Sequence, residues 1–195
     1  MTALEENRTG AQWTRMPVVS ERQGDVVLTP PWAAEDMISH FLDSQPARSS
    51  PLSVLDAGRG PNRVFHGRLA ARPWIDARWC EINPEWCDPG EAPQDFYAFW
   101  DQVDWAMGNP PYSQTRKWFS HSYRIAVNLL YLVPLRNVFS GYGFIREIHG
   151  FGGIREIRCY GTGGSLGFPM GNAIGAMHVQ RGYRGDTRFS FAQEA

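Results

Sequence analysis

The sequence predicts an α/β fold: a mostly parallel sheet covered by helices on both faces and carrying an antiparallel hairpin at its C-terminal edge. Three observations predict it. Short apolar runs alternate with segments of helical spacing from residue 26 to residue 135. The last third drops that alternation for segments of mainly strand character. A turn sequence, Arg181-Gly182-Tyr183-Arg184-Gly185-Asp186, stands between the final two of these and would join them as a hairpin.

The first 24 residues are polar and aperiodic, which suits an arm or lid, and residues 25–195 read as one domain. After the apolar piece Val26-Val27-Leu28, Thr29-Pro30-Pro31 reads as an N-cap followed by prolines of a first helical turn. Ala33, Ala34, Met37, Ile38, Phe41 and Leu42 then keep helical spacing, and a Ser/Pro-rich stretch over 44–51 ends the helix. Residues 52–55 read as a buried strand closed by Asp56-Ala57-Gly58-Arg59-Gly60, with a helix over 61–71 and a second strand over 75–82. A third strand covers 103–108. Trp118, Phe119, Ser122, Ile125 and Ala126 mark one face of a helix over 115–126, and 128–135 is a strongly apolar strand. Beyond it the pattern gives a helix over 140–149 and strands over 154–160, 173–180 and 187–191.

With 195 residues, 43% of them hydrophobic, the chain suits one domain with a sizeable core. No apolar stretch reaches the length of a membrane span, and Met1-Thr2-Ala3-Leu4-Glu5-Glu6 lacks the basic and apolar regions of a signal peptide, so a cytoplasmic protein without a membrane partner is expected. Cys80, Cys87 and Cys159 match neither a disulfide framework nor a zinc site, and the histidines show no ligand spacing, so no metal is expected. A net charge of −1 does not advertise a nucleic-acid binder, although the basic residues are arginines apart from Lys117, and guanidinium groups suit bidentate phosphate contacts.

The chemistry concentrates at strand ends. Ligands of an open parallel sheet bind beyond the carboxyl ends of its strands, and three such ends carry polar signals: Asp56 with its glycines, Glu81, and Asn109. Gly58 and Gly60 let backbone approach a ligand closely, and an acid at the second strand end can accept hydrogen bonds from ribose hydroxyls. Alone, this pattern equally describes a tight strand-to-helix turn. Asn109-Pro110-Pro111-Tyr112 is more specific. A planar exocyclic amino group is a poor nucleophile because its lone pair is delocalised, and two acceptors facing its hydrogens would draw the nitrogen toward tetrahedral geometry. The Asn109 side-chain oxygen and the Pro110 carbonyl can supply them, Pro111 stiffens the loop, and Tyr112 offers a face on which an extruded base stacks. Asn-Pro and Pro-Pro are also ordinary turn punctuation, so the tetrapeptide alone leaves that reading open. Arg116 and Lys117 just after it suit phosphate contacts or plain solvated surface, and Trp118 is close enough in sequence to line a pocket.

This ordered set resembles the class I S-adenosylmethionine-dependent methyltransferases, specifically the amino-methyltransferases with an Asn/Asp-Pro-Pro-Tyr/Phe/Trp motif that include DNA adenine-N6 enzymes. Gly150-Phe151-Gly152-Gly153-Ile154-Arg155-Glu156-Ile157 and the run from Gly175 to Gly182 are similar to small phage-type and prophage-type members. The resemblance covers most of the chain, from Thr29 to Phe191. It implies a Rossmann-like, seven-stranded sheet and S-adenosyl-L-methionine as cofactor. It places Thr29 and Pro30 beside the methionine part of the cofactor, and makes Asp56, Ala57, Gly58 and Gly60 the cofactor loop. It puts Glu81 on the ribose and Ile82 against the cofactor adenine, with Asp95 and Phe96 at that ring. Asn109, Pro110, Pro111 and Tyr112 become the catalytic loop, with Tyr112, Arg116, Lys117 and Trp118 toward the substrate.

The implied activity is methylation of the N6 amino group of adenine in DNA. Methylation of an RNA adenine or a protein glutamine amide, or a non-catalytic cofactor- or nucleic-acid-binding module, are the alternatives. Two departures stand out. The cofactor loop runs Gly60-Pro61-Asn62 where many relatives have a further glycine, and Arg59 fills a slot that is usually small or uncharged; a cation there would oppose the positive sulfonium. No separate target-recognition domain fits after Tyr112, so base specificity is either loose or supplied by a partner subunit.

Overall fold

Neighbouring residues of the central strands face opposite sides of one sheet and build two apolar layers, as a parallel sheet covered on both faces requires. The computed structural model describes residues 26–46 and 48–192. Its strands are β1 (Leu52–Asp56), β2 (Ile75–Trp79), β3 (Val103–Gly108), β4 (Ala126–Pro134), β5 (Gly152–Thr162), β6 (Ala173–Arg181) and β7 (Arg188–Phe191). On one face Val54, Trp105, Met107, Leu130 and Leu132 pack under α1 (Pro31–Ile38) and α2 (Val64–Ala70), through Ala33, Met37, Ile38, Phe65 and Leu69. On the other, Leu55, Ala106, Leu129, Tyr131 and Val133 meet Trp118, Phe119, Ile125, Val138, Phe144 and Ile148 of α3 (Thr115–Ile125), α4 (Leu135–Phe139) and α5 (Tyr142–Phe151). Burial of each large side chain in these layers contributes about 1.5–3 kcal/mol.

The seven strands run in the order β2-β1-β3-β4-β6-β5-β7. β1 is parallel to β2 and β3, and β3 to β4, while β6 is antiparallel to both β4 and β5. The expected class therefore holds: a mostly parallel Rossmann-like sheet with an antiparallel C-terminal hairpin. From β1 the chain moves outward to β2 and then returns to the opposite side as β3, so the strand order reverses between β1 and β3. That switch point is where ligands bind in such sheets.

The strands that make the hairpin differ from expectation. β6 is paired along both edges, so the last strand has no edge of β6 to join. The turn after Arg181 instead carries the chain to the outer edge of β5, where β7 pairs in parallel with Ile157 opposite Phe189. Glu156 anchors it, accepting from Arg188 and, at 2.6 Å, from Ser190. Gly152 permits the crossing, because a Cβ there would lie 1.9 Å from the Gln180 carbonyl oxygen.

Other boundaries shift for local reasons. Pro30, not Thr29, caps α1, without a side-chain bond, and the helix continues as a π-helical turn, Ser39–Asp43, that keeps Phe41 and Leu42 buried. The helix expected over 61–71 starts only at Val64, since Gly60 and Arg63 take left-handed conformations at φ +66° and +49°. The second strand ends at Trp79 rather than 82: the Cys80 amide turns to the Asp56 carbonyl, and Glu81 keeps only an isolated bridge to Gln94. Extended Gly141 splits the helical segment after β4 into α4 and α5. The polar arm expected over 1–24 lies outside the described residues. No helix among the described residues is long and apolar enough to cross a membrane.

Candidate active site

The turn after β1 is tied to both neighbouring strands. The Ala57 amide donates to the Met107 carbonyl at 3.0 Å, and the Arg59 amide to the Cys80 carbonyl at 2.9 Å. Asp56 is fully buried, its Oδ2 accepting the His66 amide of α2 at 3.0 Å. Burial pushes its carboxyl up to about 7, although the His66 and Gly58 amides and the Arg59 charge oppose that shift. Asp56 thus shapes the turn from beneath. Gly108 makes room for it: its φ is +139°, and a Cβ there would lie 3.2 Å from Asp56 Oδ1.

Glu81 holds the turn from the other side. Its two carboxylate oxygens each accept a backbone amide at 2.8 Å, one from Gly60 and one from Asn83. Each oxygen keeps a further lone pair for a ligand. The Arg59 side chain is directed away from the glycines. It makes a two-pronged ion pair with Glu91, at 3.0 and 2.6 Å, donates to the Trp86 carbonyl, and lies over the Trp79 ring, 3.6 Å from its centroid. That pairing holds the Glu91 carboxyl well down, at about 2. The positive charge is therefore neutralised in place, which removes the repulsion expected for a bare cation at this loop.

Asn109 follows β3 at the same end of the sheet. Its Nδ2 donates to the Val27 carbonyl at 2.8 Å, while its Oδ1 is buried without a hydrogen-bond partner. The Thr29 hydroxyl is likewise buried and unpaired, and the Thr29 carbonyl accepts from Asn62 at 3.3 Å. Buried polar atoms are nearly always bonded, so such orphans point to a missing partner. After the two prolines the chain makes a 3₁₀ turn, Tyr112–Gln114, into α3. The Tyr112 carbonyl accepts from Thr115 Oγ1 and from Asn137 of α4, both at 2.9 Å.

These pieces enclose a cavity of about 300 Å³ at the carboxyl ends of β1, β2 and β3, within the range of small-molecule sites. Thr29, Ala57, Gly58, Gly60, Glu81, Ile82, Asp95, Phe96, Asn109, Pro111 and Trp118 all line it. Ile82 is 67% exposed, an apolar side chain with room for a planar ring against it. Trp118 and Phe96 stack on each other at 4.2 Å and are buried, so they form wall rather than free faces. Asp95 accepts the Tyr97 amide at 3.0 Å.

Other sequence-based candidates sit outside the lining. Pro30 is occupied as the helix cap, Asp56 is buried at the end of β1, and Pro110 is buried. Tyr112 is half-buried beside the cavity rather than in its wall. Arg116 forms an ion pair with Glu147, and the Lys117 ammonium rests over the Tyr97 ring at 4.1 Å, so each basic group already has a partner. The lining also includes Val26, Val27, Asn62, Trp86, Gln94, Tyr97 and Gln114, which motif reading passed over. Position was the only available signal for Tyr97 and Gln114, each being within two residues of a proposed site residue. Among the described residues no group of His, Cys, Asp or Glu is arranged to hold a metal ion.

No family model and no curated protein matches this sequence. Its fold is similar to that of the methyltransferase subunit of a type I restriction-modification system from Streptococcus thermophilus, with a TM-score of 0.64 and 14% identity, covering 86% of this chain and 47% of that one. It is also similar to a candidate class I S-adenosylmethionine-dependent methyltransferase from Listeria monocytogenes, with TM-score 0.57, 13% identity, and coverage of 84% of this chain and 65% of that one. A candidate RNA methyltransferase from Pyrococcus horikoshii gives TM-score 0.54 and 15% identity, over 78% of this chain and 86% of that one. The chain thus spans less than two thirds of the first two proteins. The fold is the Rossmann-like fold of class I methyltransferases.

Proposed function

We propose that this protein transfers a methyl group from S-adenosyl-L-methionine to the exocyclic N6 amino group of adenine in DNA. The observation that carries the reading is Asn109, a lining residue of the cavity whose amide nitrogen is fixed by the Val27 carbonyl while its oxygen is buried and has no protein partner. An amide oxygen held this way has no protein donor and is left to accept from water or from a donor that arrives with a ligand. An adenine amino group is such a donor, and burial without one costs about 1–3 kcal/mol, which binding would recover.

The cavity chemistry suits the cofactor. Gly58 and Gly60 present backbone, Glu81 a carboxylate fixed by two amides, Ile82 an exposed apolar face, and Thr29 an unpaired hydroxyl. When bound, S-adenosylmethionine supplies the activated methyl. The protein's share is orientation and polarisation. Asn109 Oδ1 accepts one amino hydrogen and draws the nitrogen lone pair out of the ring, with the adjacent Pro110 carbonyl proposed for the second although Pro110 lies outside the cavity lining. No general base is required, since the nitrogen becomes acidic once alkylated and releases its proton afterwards. Tyr112, beside the cavity, supplies a face for the flipped base.

DNA as acceptor is carried by the likeness of Asn109-Pro110-Pro111-Tyr112 to the DNA adenine-N6 enzymes; the similar folds include both a type I restriction-modification methyltransferase subunit and a candidate RNA methyltransferase. The test is transfer of labelled methyl from S-adenosylmethionine to unmethylated DNA, RNA and a protein extract, followed by nucleoside analysis. N6-methyladenine in DNA supports the proposal. Label confined to RNA or to protein amides moves the acceptor, and no transfer to any of them overturns the catalytic reading.

A further inference from the structure

A side-chain hydrogen bond joins the two ends of the cavity. Tyr97 lies in the 3₁₀ turn Phe96–Ala98 of the loop between β2 and β3, and Gln114 closes the turn that follows Asn109-Pro110-Pro111. Both line the cavity, and the Tyr97 hydroxyl donates to Gln114 Oε1 at 3.0 Å.

The Tyr97 ring is well placed to transmit a displacement. Its edge meets Trp118 at 5.7 Å between centroids and 74° between planes, and it lies 5.5 Å from Phe96. The Lys117 ammonium covers it at 4.1 Å. Burial, with the nearby Asp95 charge, pushes the phenol up to about 12, so the hydroxyl remains a donor at any working pH. One side of the ring is thus packed against the wall that carries Asp95 and Phe96, and its tip is fastened to the turn that follows Asn109-Pro110-Pro111.

We propose that Tyr97 is a positioning residue: through its bond to Gln114 it holds the 110–114 turn in register with the Asp95–Tyr97 wall, so that filling the cofactor end of the cavity sets the geometry at the amino-acceptor end. This rests on the cofactor reading given above. Neither residue is part of the tetrapeptide or of the glycine turn. The buried oxygen of Asn109 gives the coupling a purpose, because a target amino group must find that oxygen correctly placed and a loose turn would leave it misaligned. A ligand that orders one wall transmits that order to the other only if the two are mechanically joined.

The experiment is hydrogen exchange of the full chain with and without S-adenosylhomocysteine, read on peptides covering residues 109–118, with ligand binding measured separately by calorimetry. In the native protein, S-adenosylhomocysteine is expected to slow exchange in 109–118 about fivefold or more, the lower range of typical site-to-site coupling. Tyr97→Phe keeps the ring and its Lys117 contact, and should still bind S-adenosylhomocysteine while losing that protection. Gln114→Leu should behave the same way, whereas Gln114→Glu retains an acceptor for the tyrosine hydroxyl and should keep the protection. Ligand binding with equal protection in Tyr97→Phe and the native protein overturns the coupling and leaves the cofactor reading intact. Failure of the native protein to bind S-adenosylhomocysteine at all overturns the cofactor reading and this inference with it.

Discussion

Asn109 and Val27, 82 positions apart in sequence, are joined by a 2.8 Å hydrogen bond from the Asn109 amide nitrogen to the Val27 carbonyl oxygen. The bond fixes which face of the amide is left over, and that face is an acceptor. The segment before α1 therefore serves as one support of the candidate catalytic loop, and the grip of Thr115 and Asn137 on the Tyr112 carbonyl is another.

Glu81 joins two roles, so its substitutions should separate them. Glu81→Ala leaves the Gly60 and Asn83 amides without their acceptors, which should destabilise the fold by about 1–3 kcal/mol per unpaired amide and weaken S-adenosylmethionine binding. Glu81→Gln keeps one carbonyl oxygen and should fall between. Denaturant titration and calorimetry on the three proteins check this; unaltered cofactor affinity in Glu81→Ala would show that the ribose end lies elsewhere.

Neutralising Glu91 should expose the charge of Arg59. Arg59 has a side chain only 1% exposed, so with Glu91→Gln its cation stays in the cavity wall without a counter-charge. Affinity for S-adenosylmethionine, a sulfonium, should drop roughly tenfold, and affinity for S-adenosylhomocysteine, which lacks that charge, much less. Equal losses for both ligands would mean that Glu91 acts only by holding its loop.

Asp56 gives a pH signature. Its carboxyl is raised from 3.8 to about 7 in the folded protein, so between those values the folded state holds a proton that the unfolded chain has released. Its contribution to stability is then fully present below pH 4 and is lost as pH rises through 7, by on the order of 4 kcal/mol. Buried His178, pushed down to about 3, works in the opposite sense over the acid range, so the difference between two proteins is the useful quantity. Asp56→Asn cannot ionise and can still accept the His66 amide. Its melting temperature relative to the native protein should climb steadily from pH 4 to pH 8, and a flat difference would contradict the shifted carboxyl.

Local pattern carried the elements well. The run from Val103 to Gly108 is a strand with the expected bounds because it is apolar apart from Asp104 and closed by Asn109-Pro110. The glycine turn, Glu81 and Asn109 were legible as a set because each stands just beyond or close to the end of a strand, and the sheet brings those ends together. What stayed hidden depends on distant partners. Nothing near Arg59 announces Glu91 as its counter-charge, 32 positions on, and nothing near Asn109 announces the Val27 carbonyl. The destination of the last strand was hidden for the same reason: the turn after Arg181 does not state that both edges of β6 are already taken. Thr29 looked like a cap from its two prolines, yet Pro30 itself occupies that position and leaves the hydroxyl at the cavity.

The most direct measurement is a paired one on Asn109→Ala: single-turnover methyl transfer to DNA and equilibrium binding of S-adenosylmethionine, each beside the native protein. Transfer is expected to fall by about 10²–10³, the scale of losing one preorganised polar contact to the reacting group, while cofactor affinity changes little. Transfer at the native rate would contradict it, because the buried oxygen of Asn109 would then have no part in the chemistry.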